Sequence, residues 1–478
     1  MKDTIKYDTH FKNVDSRPFL GGGELKHAIE EISGLKFMID ALNLRSSTGR
    51  RYLHALPFLT NIEELEKAMN ENAVFYDKGC DERHRQEFLM LEMKLGQLRD
   101  IKTTIRHLLE NNVLDDIELF EIKHLAILAE NIREITDKIG LCDLKISDLS
   151  AVIDVLDPEK KRIPHFYIYN QYSEKLAGIR KKIELAVEPE KERLLFEAEK
   201  IEDEIRGELT QKLFPFADAL LQSLNELAKL DVSLAKAEQT RALSLVKPKF
   251  TAEKTSIQAM FHPQVAVALK KQGKVFQRID MDIPQGPTVI TGANMAGKSV
   301  LLKTVALVQT LAQFGFYVPA AAAEIVPVEK IFVSMGDGQN EMNGLSSFAS
   351  EMLRLNETVQ AVKKGTKLLV LIDELARTTN PTEGKAIVCG ALDFLMENRV
   401  RSLVTTHYSI NLKCKKLRVK GFLEPPNHEK ITIGNINNYI DYSLEETTAH
   451  EAPNEAIRVA EIMGVDAEIL RRTKKHLH

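Results

Sequence analysis

The chain has 478 residues, 44% of them hydrophobic, and a formal net charge of −4. That length accommodates about two to four domains, and the weakly negative balance excludes a uniformly basic protein that coats nucleic acid. Cys80, Cys142, Cys389 and Cys414 share no paired or metal-ligand spacing and no apolar run approaches the length of a membrane span, so a reduced, cytoplasmic protein without a membrane partner is expected.

From Glu24 to Val246 prolines are few and apolar residues recur every three or four positions, as in Leu91, Leu95, Leu98, Ile101, Ile105 and Leu108, and again from Leu194 to Leu213. This is the period of helices with one buried face. Residues 187–246 are interrupted only by Pro189 and Pro215, so one or two helices are expected to span on the order of 60 to 80 Å at about 1.5 Å per residue. Around Val187-Glu188-Pro189-Glu190 the charges are mixed, with Arg180, Lys181, Lys182, Lys191 and Arg193 offset by Glu184, Glu188, Glu190 and Glu192. A surface that grips phosphates would show a clearer excess of Lys and Arg.

The texture changes after residue 245. Pro287-Thr288-Val289-Ile290-Thr291 reads as a strand, and Gly292-Ala293-Asn294-Met295-Ala296-Gly297-Lys298-Ser299 follows it with the spacing of a phosphate-binding P-loop. A helix then runs through Val300, Leu301 and Val305 to the breaker Gly315. Glycines suit this turn because the backbone amides themselves, with the helix N-terminus, face the phosphate oxygens. Lys298 is expected to reach the β- and γ-phosphates and Ser299 to ligate magnesium, which makes ATP and Mg2+ the expected cofactors, with residues 292–300 as the nucleotide-contacting set.

Further along, Lys367-Leu368-Leu369-Val370-Leu371-Ile372-Asp373-Glu374 is an apolar run ending in two carboxylates. It has the pattern of a strand buried on both faces whose carboxyl end meets the ligand. Asp373 is expected to hold the magnesium water shell, and Glu374 to orient and deprotonate the attacking water. Ser402-Leu403-Val404-Thr405-Thr406 forms a third strand ending at His407, in position to sense the γ-phosphate. Phe261, His262, Phe276 and Tyr408 are all candidates to stack on the base.

Gly344-Leu345-Ser346-Ser347-Phe348-Ala349-Ser350-Glu351-Met352 resembles the signature segment of MutS-type ATPases, relatives of the ABC ATPases. The P-loop block, Gly315-Phe316-Tyr317-Val318-Pro319-Ala320, Asp373-Glu374-Leu375-Ala376-Arg377-Thr378-Thr379 and Thr405-Thr406-His407-Tyr408 resemble the same family. Asn-Met inside a P-loop together with a later Thr-His-Tyr is specific to MutS-like proteins. Leu44 to Leu65 looks like the start of the family's core and lever region, so the likeness covers nearly the whole chain. Where the family usually has glycine this chain has Ala296, Ala376 and Thr378. The added carbons bear on the hydrolysis rate more than on nucleotide binding.

The resemblance implies a helical core and lever domain over residues 1–245, then an α/β P-loop ATPase domain of the ABC-related, MutS-like type over 246–478. Residues 455–472 resemble the closing helices that pack across a dimer. It further implies nucleotide sandwiched between two subunits, with Ser346 contacting it in trans and a related MutS-like chain, identical or not, as partner. Among 20 phenylalanines the Phe-x-Glu of the family's mismatch reader occurs at Phe422-Leu423-Glu424, inside the ATPase half. A form without mismatch-reading and connector domains is therefore expected, its clamp absent or reduced to a hairpin. Two readings of function follow: a nucleotide-driven ATPase dimer acting on DNA in repair or recombination without mismatch reading, or an ATPase that remodels a protein partner and has lost DNA binding.

Overall fold

The computed structural model describes residues 19–20, 25–141, 144–292, 297–335, 347–423, 439–447 and 456–476, in which a helical region is followed by a mixed α/β region. The chain forms two compact units, one of Met1–Ile39, Pro57–Met69 and Leu245–His478, the other of Asp40–Leu56 and Asn70–Ser244. The division is thus not a single cut at residue 245. Residues 57–60 join the α/β unit because Gln313, fully buried, donates through Nε2 to Leu59 O at 2.7 Å, while Leu59 N–H donates back to Gln313 O at 2.8 Å. Phe58 adds an edge-on contact with Phe314 at 5.3 Å between ring centres.

The helical unit follows its apolar period. Helix Asp116–Ile139 starts at a capping box, with Asp115 accepting from Glu118 N–H and Glu118 from Asp115 N–H, and it stops at Gly140, whose φ of 78° lies in the left-handed region. Leu119, Ile122, Ala126, Ala129 and Ile132 form its wholly buried stripe, each large side chain contributing roughly 1.5–3 kcal/mol. Pro215 sits in a short turn, Phe214–Phe216, so the long run predicted over 187–246 is realised as two helices, Glu190–Leu213 and Ala217–Leu243. Helix Glu174–Leu185 packs on Glu190–Leu213, the two joined through residues 186–189.

In the α/β unit the strands are β1 Phe19–Leu20, β2 Lys249–Phe250, β3 Thr255–Met260, β4 Ile279–Ile283, β5 Pro287–Thr291, β6 Ala322–Ile325, β7 Lys330–Ser334, β8 Leu368–Ile372, β9 Arg401–Thr405, β10 Lys415–Phe422 and β11 Ile440–Glu446. They make a seven-stranded sheet of order β1-β7-β8-β9-β5-β10-β11 and a smaller sheet of order β2-β6-β3-β4. From β7 to β10 the large sheet is parallel, with antiparallel strands only at its edges. Every residue of β8 is buried, which explains its unbroken Leu-Leu-Val-Leu-Ile run. The order also places β9 between β5 and β8, so the carboxyl ends of all three strands, with the residues that follow them, converge on one edge.

Candidate functional site

Gly292 follows β5 with φ 150°, and a side chain there would press on Val419 Cβ at 3.1 Å. Gly297 closes the loop with φ 75°, leaving only 2.9 Å between an added carbon and Tyr442 Cδ1. Both glycines are thus required by conformation and by space. Helix Lys298–Gln313 begins immediately afterwards and directs its amide dipoles back over the loop. Ala293, Asn294, Met295 and Ala296 lie outside the described residues, as does Ser346.

Lys298 is buried, with Nζ donating to Gly292 O at 2.7 Å and lying 3.9 Å from Glu374 Oε1. Burial lowers its pKa below the ordinary lysine value, with Glu374 and then Asp373 acting against that shift. Ser299 Oγ donates to Asp373 Oδ2 at 2.5 Å, and Thr405 Oγ1 donates to Asp373 Oδ1 at 2.6 Å. The P-loop helix, the residue after β8 and the last residue of β9 are thereby tied at one carboxylate. A hydroxyl and a carboxylate oxygen beside a lysine form a hard, oxygen-only donor set that fits magnesium bound together with phosphate.

Glu374 adopts φ 52°, a left-handed conformation uncommon for a residue with a side chain. Its N–H holds the turn by donating to Thr405 Oγ1 at 2.9 Å and Thr405 O at 3.2 Å. The carboxylate is turned toward Lys298 and accepts from Arg377 Nη1 at 3.0 Å. Ala376, fully buried with φ 59°, donates its N–H to both Glu351 carboxylate oxygens at 3.2 Å, and its carbonyl accepts from Tyr408 Oη at 3.0 Å. Burial raises the Glu351 pKa, opposed by the Ala376 N–H and by Arg354 and Arg377. His407 is exposed just beyond β9, its ring 4.2 Å from that of Tyr408.

Beside the first turn of the P-loop helix lies a cavity of about 320 Å³ lined by Phe276, Gly297, Val300, Thr304 and Tyr442, among others. Gln277 braces its wall, donating to Asp441 Oδ1 at 2.7 Å and accepting from Tyr442 N–H at 3.0 Å. Of the four candidates for stacking on a base, only Phe276 lines this space. Phe261 is buried beneath the Arg278 guanidinium, His262 packs against Gly34, and Tyr408 is committed to Ala376. The sequence assigns no site role to Thr405, Glu351 or Tyr442, although Glu351 and Thr405 lie inside the blocks 344–352 and 405–408. The paired threonines before His407 were the one available signal for Thr405, whereas Tyr442 carries none because a sheet neighbour brings it to the loop.

A family model described as MutS domain V matches residues 288–478. A DNA mismatch repair protein MutS from Christiangramia forsetii is 28% identical over 380 residues, covering 75% of this chain and 42% of that protein. An Endonuclease MutS2 from Thermomicrobium roseum is 37% identical over 209 residues, 42% of this chain and 26% of its own length. An Endonuclease MutS2 from Staphylococcus saprophyticus is 27% identical over 402 residues, 80% of this chain and 50% of that protein. The chain thus spans half or less of the length of these relatives. Among the described residues no helix is long and apolar enough to cross a membrane.

Proposed function

This chain belongs to the MutS family of ATPases, and from that premise we propose that it binds and hydrolyses ATP with magnesium as a nucleotide-driven dimer acting on DNA in repair or recombination, without reading mismatches. The observation that carries the reading is the junction of Ser299, Asp373 and Thr405, which gathers the start of the P-loop helix and the ends of β8 and β9 around one carboxylate near Lys298. In this reading residues 292–300 wrap the triphosphate, Lys298 sits on its β- and γ-phosphates, and Phe276, Val300 and Tyr442 flank the base. Ser299 and Asp373 hold magnesium, which supplies neutralisation of the charge that develops on the phosphates. Glu374 accepts the proton of the attacking water, Arg377 orients its carboxylate, and His407 senses the γ-phosphate. Ser346 reaches the partner's nucleotide, and the two closing helices, with Ile469 and Met463 exposed, contribute to the dimer contact.

The second reading, an ATPase that remodels a protein partner, is favoured by one feature. The helical hairpin around residues 186–189 carries balanced charge and exposes Leu185, Val187 and Phe196. A surface meeting phosphates would be richer in Lys and Arg.

ATP turnover measured with and without duplex, branched and single-stranded DNA at physiological salt tests both readings. Stimulation by DNA is expected, whereas steady turnover indifferent to every DNA would favour a protein partner. Glu374→Gln should keep ATP binding and lose roughly a hundred- to ten-thousand-fold in turnover. Unchanged turnover would remove Glu374 from its role, and ATP affinity retained in Lys298→Ala would overturn the phosphate site.

A further inference from the structure

At the end of the large sheet away from the P-loop, β8 and β9 begin at a cavity of about 510 Å³. Lys367 and Arg399 lead into these adjacent parallel strands, whose register sets Leu369 beside Arg401. Lys367, Arg399 and Arg401 all line the cavity, and among the described residues no carboxylate does. Arg401 is fixed in place by Nη2, which donates to Ala252 O at 3.3 Å and Glu253 O at 2.6 Å, while its buried Nε has no hydrogen-bond partner. Burial lowers the Arg401 pKa with no opposing carboxylate. Arg399 is held at φ 52°, a strained conformation for a residue with a side chain. The remaining wall combines hydrogen-bonding Thr251, Gln285 and Asn398 with apolar Val326 and Val362.

Helices Ser347–Lys363 and Pro381–Glu397 end nearby, and cations at helix C-termini are ordinary. That explanation accounts for neither the unsatisfied buried Nε of Arg401 nor a single open cavity lined by three cationic residues and, among the described residues, by no carboxylate. Cations that share one cavity lining without a carboxylate repel one another and favour a counter-anion. A phosphate monoester supplies a dianion at neutral pH, and the volume leaves room for an organic body against the valines. We propose that this cavity is a second ligand site, distinct from the P-loop, that takes the phosphate monoester of a small organic molecule through Lys367, Arg399 and Arg401.

The test uses the full chain carrying Lys298→Ala, so that phosphate binding at the P-loop is removed, titrated calorimetrically with phenyl phosphate and with inorganic phosphate. Saturable binding of phenyl phosphate at one site is expected, tighter than that of inorganic phosphate. Adding Lys367→Gln and Arg399→Asn, the latter because asparagine tolerates the left-handed backbone, should weaken it by roughly tenfold or more at an unchanged unfolding temperature. If that variant fails to fold, Lys367→Gln alone should still weaken binding measurably. Absence of saturable binding, an affinity indifferent to these substitutions, or phenyl phosphate binding no tighter than inorganic phosphate would overturn the proposal.

Discussion

In the helical unit Lys123 is wholly buried and its ammonium is enclosed by Asp157 Oδ1 at 3.0 Å, His165 O at 2.9 Å and Tyr169 Oη at 3.0 Å. In the α/β unit Lys298 is also buried, yet its carboxylate neighbour Glu374 stands 3.9 Å away, beyond hydrogen-bond distance. An ammonium has three protons to donate, and at Lys123 three protein acceptors take them. At Lys298 the ammonium donates to Gly292 O at 2.7 Å, and the Glu374 carboxylate stands beside it on a left-handed turn that Thr405 pins in place. Burial alone therefore does not distinguish a structural lysine from one that serves a ligand. What distinguishes them is where the charge sits: Lys123 is set among side chains of its own helical unit, Lys298 at the carboxyl ends of β8 and β9 beside Asp373 and Glu374.

The largest effect should come from opening the closed site. Lys123→Met leaves Asp157 buried without its cation and should destabilise the protein by about 3–5 kcal/mol in urea unfolding. A loss below 1 kcal/mol would mean that Asp157 finds water or another donor.

Acid sharpens the same point. Burial raises the Asp157 pKa, but the Arg162 N–H and Lys123 outweigh it and leave the folded value depressed. The stability this carboxylate contributes is therefore fully present above its unfolded pKa of about 3.9, and it is lost as pH falls through the lower folded value. Without Lys123 the carboxyl has less reason to stay ionised. The stability gap between Lys123→Met and the parent should thus narrow as pH is lowered below about 4, and a gap constant from pH 7 to 3 would contradict the assigned pairing.

Thr405→Val probes the Lys298 side. It keeps the shape but removes the donor to Asp373 and the acceptor for Glu374 N–H, leaving only the longer bond from that N–H to Thr405 O. A hydrogen bond to a charged group is worth about 1.5–3 kcal/mol, so turnover should fall roughly tenfold or more, with a smaller change in ATP affinity. Equal losses in turnover and affinity would make Thr405 a general support of the P-loop and not a positioner of the two carboxylates.

Much of this was legible before the fold was known, for physical reasons. An apolar run such as Leu368–Ile372 fits a strand covered on both faces, and in a parallel sheet the two carboxylates that follow it fall at the carboxyl edge, where the segments after β5 and β9 also lie. The glycines at 292 and 297 likewise announced a tight turn. What was not legible depended on strand order. That Thr405 lies between Asp373 and the P-loop follows from β9 inserting between β5 and β8, and that Tyr442 closes over Gly297 follows from β11 pairing with β10. Neither is encoded in local spacing. Nor was the division of the helical half, where Pro57–Met69 joins the α/β unit through the buried amide of Gln313.

The smallest expected effect concerns Ala376, a methyl-bearing residue held left-handed in full burial. Replacing it with glycine removes about 1–2 kcal/mol of backbone strain. Against this stand about 0.8 kcal/mol of lost methyl burial and about 0.4–1 kcal/mol of added freedom in the unfolded chain. The opposing effects nearly cancel, so Ala376→Gly should leave the denaturation midpoint within the equivalent of about 1 kcal/mol of the parent. The bonds from its N–H to Glu351 and from Tyr408 Oη to its carbonyl involve only backbone atoms of residue 376, and they persist whichever residue is present. A loss well above that range would mean that packing of the methyl group outweighs the strain relieved, and that these three hydrogen bonds do not by themselves hold the turn after Glu374.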